Sequence, residues 1–172
     1  TSYQIQRGSS KVTIDNIRRI LSSFFSWLED EDYILKSPVR RIHKVKTAVT
    51  IKETYTDKEL ERLLKKPNMR ACAFAEYRTW VIINLLVNNG TRAATVRNIK
   101  NKDVDLENLV IYLRHTKSKK SQVIPLCTEL CGILKEYMRI RGGGDDDFLF
   151  PTENGEQLKE HGLRSSIARY NN

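Results

Sequence analysis

Residues 85–126, LLVNNGTRAATVRNIKNKDVDLENLVIYLRHTKSKKSQVIPL, decide how this chain is read. The first of them close an apolar helix, and Gly90 supplies the left-handed residue with which such a helix ends. Thr91 is then the expected N-cap of a short helix over residues 92–98. After a turn-rich linker, Asp103-Val104-Asp105 is expected to make a short strand and turn. Residues 109–113 (LVIYL) and 122–126 (QVIPL) are β-branched and apolar runs around a Ser/Lys tip, the pattern of an antiparallel hairpin. Pro125 cannot donate to a ladder, so the second run is expected to be an edge strand or to end there. Arg92 therefore stands at a helix start and Lys117 at a hairpin tip, both on rigid supports. Such a pair suits a phosphate that is gripped by a planar guanidinium and then receives a proton.

Outward from this stretch, residues 71–87 form the most apolar helix, with Phe74, Tyr77, Val81 and Leu85, and it should run through the core. Before it, Thr56 and Glu59 have the spacing of a capping box, Leu60, Leu63 and Leu64 form an apolar stripe, and Pro67 stops the helix. After the hairpin, residues 129–139 are amphipathic, with Leu130, Ile133, Leu134, Tyr137 and Met138 on the apolar side. Gly142-Gly143-Gly144 with three aspartates reads as a flexible surface loop. It is no phosphate cradle, because the acids would repel phosphate and no strand-to-helix frame surrounds it. Phe148-Leu149-Phe150-Pro151 is a short buried stop, and residues 157–170 are a last helix with Leu158, Leu163, Ile167 and Tyr170 on one face.

The N-terminal part reads separately. Residues 11–28 carry Ile14, Ile17, Leu21, Phe24 and Leu28 at steps of three and four, with Phe25 and Trp27 widening the face and Thr13 as the expected N-cap. The acids at 29–32 should end this helix, Pro38 turns the chain, and residues 39–42 fit one more turn. One helix with a short tail cannot bury its own apolar face. Residues 44–55 have no helical period and read as an extended linker. The expected fold class is α+β, mainly helical with a small antiparallel three-stranded sheet, preceded by helices of a partial second domain.

The 172 residues carry a net charge of +9, a balance that favours polyanionic partners. The charge is clustered: Lys36, Arg40, Arg41, Lys44 and Lys46 lie in one acid-free run, and Arg114, Lys117, Lys119 and Lys120 in another. No apolar run approaches the roughly 20 residues that span a bilayer, and the first residues do not form a signal peptide. Three cysteines, an odd number, point to reduced thiols serving as small apolar filler. His43, His115 and His161 are scattered and give no zinc spacing.

The order of these features resembles the tyrosine recombinase (phage integrase) family. Asn89-Gly90-Thr91-Arg92 resembles that family's first arginine box. Residues 116–126 (TKSKKSQVIPL) resemble its lysine-bearing hairpin, with a Val-Pro-Leu-like end. Phe148-Leu149-Phe150-Pro151 resembles the segment before the later boxes, and residues 11–42 resemble the last helices of the helical core-binding domain. The resemblance covers nearly the whole chain. It implies three parts: residues 1–46 as the end of the core-binding domain, 47–55 as linker, and 56–172 as the N-terminal part of the catalytic domain. It implies that a tyrosine hydroxyl attacks a DNA phosphodiester and leaves a 3′-phosphotyrosyl link, so that rejoining needs no cofactor and no metal. Arg92 would hold the non-bridging oxygens and Lys117 would protonate the leaving 5′-oxygen. Arg40, Arg41, Lys44, Lys46, Lys119 and Lys120 would contact the phosphates of double-stranded DNA. A full-length protein would assemble as a homo-oligomer on DNA, in the cytoplasm of a bacterium or in the service of a phage or mobile element.

The departures from the family pattern are specific. The acid that usually follows the first arginine by three residues is Thr95 here. His161-Gly162-Leu163-Arg164 imitates the second box, His-x-x-Arg, but follows Phe148–Pro151 too closely, and Ser165-Ser166 stand where His/Lys-Thr is usual. Residues 157–170 fit the helix that intervenes before that box. Tyr170 is the only tyrosine after Pro151 and lies too near the preceding motifs to be the nucleophile. The chain is therefore expected to be a fragment that binds DNA weakly and does not cleave it alone. A DNA-binding regulator of a mobile element remains the alternative. A metal-dependent nuclease is disfavoured, because no His/Asp set converges.

Overall fold

The computed structural model describes residues 3, 6–46, 53–114 and 121–170. The chain divides into two compact units, Thr1–Thr54 and Tyr55–Asn172.

In the first unit, α1 (Lys11–Asp30) is capped by Ser10, whose hydroxyl accepts the Thr13 amide at 3.2 Å. Thr13 is thus the residue being capped rather than the cap. Asp32, at φ 59°, turns the chain out of the helix. The tail then folds back along α1. Glu29 accepts the Ser37 amide at 3.2 Å, and Asp15, more than three turns earlier, accepts the Val45 amide at 3.3 Å. The expected turn after Pro38 is present, closed by Ile42 N–H to Val39 O at 2.9 Å. Among the described residues of this unit only Ile14 and Val39 are buried apolar side chains, while Leu21, Phe24 and Trp27 stay largely exposed. The periodicity is real, but among the described residues of the unit nothing covers its face.

In the second unit, α2 (Asp57–Leu64) begins with the expected capping box: Thr56 Oγ1 accepts the Glu59 amide, and the Glu59 carboxylate accepts the Thr56 amide at 2.7 Å. Helix α3 (Phe74–Asn89) is buried on every side from Tyr77 to Leu85. A helix apolar over most of its surface belongs in a core, and two of its polar residues are satisfied within the helix itself. Thr79 Oγ1 donates to Ala75 O at 2.7 Å, and Asn84 Nδ2 donates to Trp80 O at 2.9 Å. Around α3 pack Leu130, Leu134 and Tyr137 of α5 (Thr128–Arg141), Leu163 of α6 (Glu160–Tyr170), and Leu149, Phe150 and Leu158 between them. A short α4 (Ala93–Val96) and a 3-10 turn (Asn101–Asp103) lead into the sheet.

The sheet has the order β1 (Val104–Asp105), β2 (Val110–Leu113), β3 (Gln122–Pro125), all antiparallel. Ile111 pairs with Val104 on one side and Ile124 on the other, and with Leu113 it faces the core. Pro125 is the last residue of an edge strand, where its missing N–H costs no ladder bond. Six helices and one three-stranded sheet among the described residues make this a mainly helical α+β fold.

The loop at residues 142–147 differs from its expectation as a loose segment. The Lys102 and Asn101 amides donate to Asp145 O and Asp147 O, each at 3.0 Å, and Asp146 pairs with Lys100 and Lys102. The Asp146 carboxylate thus fastens the loop to Lys100 and Lys102, while that of Asp147 accepts the Gly144 amide within the loop at 2.9 Å. Cys127 also departs from the filler role. It is exposed and caps α5, its Sγ accepting the Leu130 amide at 3.5 Å, while Cys72 and Cys131 pack against the core.

Candidate nucleic-acid interface

The arginine box is built at the end of α3. Gly90 takes φ 59° and ψ 21°, and its amide closes the helix on Leu86 O. Asn89 Nδ2 donates to Pro125 O at 2.7 Å, which ties this turn to the end of β3. Arg92, not Thr91, occupies the N-cap of α4, and no side chain caps that helix. The Arg92 carbonyl accepts the Thr95 and Val96 amides at 2.8 and 3.1 Å, and both of those side chains are buried. The backbone of Arg92 is thus fixed, while its side chain is exposed and has no hydrogen bond or ion pair with the described residues. Thr91 Oγ1 is buried without a partner among the described residues, so the expected cap does not bond to the helix.

The hairpin is described up to Arg114 and again from Ser121. Lys117, Lys119 and Lys120 lie outside the described residues. At the hairpin root, Arg114 Nε donates to Asp103 Oδ1 at 2.7 Å, and the other oxygen of Asp103 accepts the Lys100 amide at 3.0 Å. Asp103 is almost wholly buried, with its side chain 5% exposed, whereas that of Arg114 is 57% exposed. The Arg114 guanidinium also lies 6.0 Å from the centre of the Tyr112 ring. Thr95, Asn98, Asp103, Tyr112 and Arg114 border one small packing gap, so α4 and the hairpin root adjoin. Sequence reading missed Asp103. Nothing in the sequence sets it apart from Asp105 and Glu107 beside it.

In the first unit, Arg40, Arg41, Lys44 and Lys46 are all exposed. Arg40 makes a loose 3.5 Å contact with Glu29. The segment that carries them is held at its ends by Glu29 and Asp15. Asp15 is itself bonded to Arg18 at 2.9 Å, and that hydrogen bond holds its carboxyl below the ordinary value.

The residues set aside have structural surroundings. His161 is exposed, Arg164 pairs with Glu160 one turn earlier at 2.6 Å, and Leu163 between them is buried. Tyr170 packs against the core and donates its hydroxyl to Lys65 O at 3.3 Å, and burial raises its pKa. Among the described residues no three His, Cys, Asp or Glu side chains gather to hold a metal ion, and no helix is long and apolar enough to cross a membrane.

Residues 53–172 match the phage integrase family. The chain belongs to that family. It is 27% identical to the tyrosine recombinase XerC of Thermodesulfovibrio yellowstonii, over 98% of this chain and 58% of that protein. Its fold follows that of the Tn1549 transposon integrase in complex with transposon right end DNA (TM-score 0.75, 22% identity, 98% of this chain and 61% of the other). It likewise follows a lambda integrase dimer bound to a COC′ core site (TM-score 0.73, 18% identity, 99% and 60%). This phage integrase family chain thus spans a little over half the length of the curated relative.

Proposed function

We propose that the protein is a site-specific recombinase that cuts and rejoins double-stranded DNA through a 3′-phosphotyrosyl intermediate, and that this chain supplies its phosphate grip and its acid. The observation that carries the reading is Arg92: a fixed backbone at a helix start, a side chain free in solvent, and a turn bonded to the end of the hairpin. A guanidinium so placed can give two N–H bonds to the non-bridging oxygens of one phosphate, where charge grows during displacement. The attacking phenol oxygen forms a bond to phosphorus, the bond from phosphorus to the 5′-oxygen breaks, and Lys117 delivers a proton to that oxygen. Arg40, Arg41, Lys44, Lys46, Lys119 and Lys120 hold the duplex by its phosphates. His161, Arg164 and Tyr170 take no part in the chemistry. His161 is exposed, Arg164 is paired with Glu160, and Tyr170 packs against the core with its hydroxyl on Lys65 O, which supports surface and packing roles. The nucleophile is none of this chain's seven tyrosines. The working assembly is a homo-oligomer on DNA in the cytoplasm.

A nicked suicide duplex tests the proposal. This chain should bind it in a salt-sensitive manner and form no covalent adduct. A tyrosine-linked adduct would refute the placement of the nucleophile. Arg92→Ala should weaken binding and lower the salt slope, and an unchanged slope would remove Arg92 from the phosphate site. Thr95, at the position where the family pattern has an acid, favours a second reading as a DNA-binding regulator. Coding sequence past Asn172 that holds His-x-x-Arg and a tyrosine would exclude that second reading.

A further inference from the structure

We propose that Arg114 is a further phosphate-contacting residue of the DNA face, held in its orientation by the buried carboxylate of Asp103. The inference rests on the DNA-binding reading above and adds a residue to it. Arg18, tied by Nε to the similarly fixed Asp15, is itself only 20% exposed. Arg40 and Arg164 pair with more accessible carboxylates, 29% and 57% exposed, through side chains 67% and 78% exposed. The partner of Arg114 is instead nearly inaccessible and is itself fixed by the Lys100 amide.

Only Nε of Arg114 is committed to Asp103. The two terminal nitrogens have no hydrogen bond with the described residues, and the side chain is more than half exposed. A guanidinium tied by Nε presents its outer edge as a preset fork, so little rotamer entropy is lost when a phosphate arrives. The Tyr112 ring gives the cation a second support. The location is also apt. Thr95 of α4, three residues after Arg92, borders the same small packing gap as Arg114, so the hairpin root packs beside the helix that Arg92 begins.

The test is DNA binding by this chain, followed as the anisotropy of a short labelled duplex across a salt series. Arg114→Gln should lower the slope of log affinity against log salt by about 0.9, one phosphate contact. Arg114→Lys, which keeps the charge and loses the fork, should keep the slope and weaken binding several-fold at every salt concentration. Asp103→Asn should behave like Arg114→Lys, since it frees the guanidinium without discharging it. Arg139→Gln, an exposed arginine in the last turn of α5, serves as the control with an unchanged slope. A residue that only staples the hairpin would move the thermal melt and not the slope. A wild-type slope in Arg114→Gln, with the wild type binding DNA, overturns the inference and leaves the recombinase reading standing. Salt-independent binding by the wild type would overturn both.

Discussion

Gly90 is the residue on which the arginine box turns. At φ 59° an L side chain is strained, although a Cβ there would meet no atom within 4 Å. Gly90→Ala should therefore destabilise the second unit by about 1 kcal/mol through conformation alone, seen as an earlier urea midpoint in Trp80 fluorescence. Thr91, next to it, makes the opposite case. Its buried hydroxyl has no partner among the described residues, so Thr91→Val should leave the same midpoint unchanged or raise it, with a gain in stability of up to about 1 kcal/mol. Gly90 and Arg92 were legible in the sequence because a helix end demands a left-handed residue and a basic side chain has a stated chemistry. The N-cap was misplaced by one residue, because a hydroxyl favours that position only if the turn aims it at the helix. The Asp103–Arg114 pair was not legible at all. Its members are joined only once β1 and β2 pair in register.

Among the elements, the segment around Phe148–Pro151 shows how much burial and how little local pattern hold a strap in place. Its apolar run made the buried stop readable. Its fastening comes from the helix just before it and from α3, far earlier in the chain: Tyr137 Oη donates to Leu149 O at 3.0 Å, and the buried Arg78 guanidinium donates to Pro151 O. Burial pushes the Tyr137 hydroxyl well above the ordinary tyrosine range, and pushes that of Tyr77 up to about 12, so both stay protonated donors at neutral pH. The two differ in what they donate to. Tyr137→Phe strands a buried carbonyl and should cost about 1–3 kcal/mol. Tyr77 Oη has no partner among the described residues, so Tyr77→Phe should be neutral or slightly stabilising by thermal melt. The glycine-aspartate loop carries the same lesson in reverse. Its composition signals freedom, but the Asn101 and Lys102 amides that bind it lie more than forty residues away.

At the scale of the whole molecule, each of the two units holds one tryptophan, Trp27 in the first and the buried Trp80 in the second. The first unit has little core, so its order depends on polar fastenings to α1. The chief of these is Asp15, which joins Arg18 and the Val45 amide and so fixes one end of the basic segment. The Arg18 hydrogen bond lowers the Asp15 pKa below its ordinary 3.8. A carboxyl whose folded value is depressed contributes stability that is fully present above the unfolded value and is lost as pH falls through the folded one. The protection of the Val45 amide from hydrogen exchange should thus be level from neutral pH to about 4 and then fall as the solution is made more acid. Asp15→Asn retains an acceptor for that amide but abolishes the ion pair. It should lower the protection at neutral pH and flatten its acid dependence, and Trp27 emission in a Trp80→Phe background would follow the same unit independently. An acid loss of protection that persisted undiminished in Asp15→Asn would assign the fastening to Glu29 and its bond to the Ser37 amide instead.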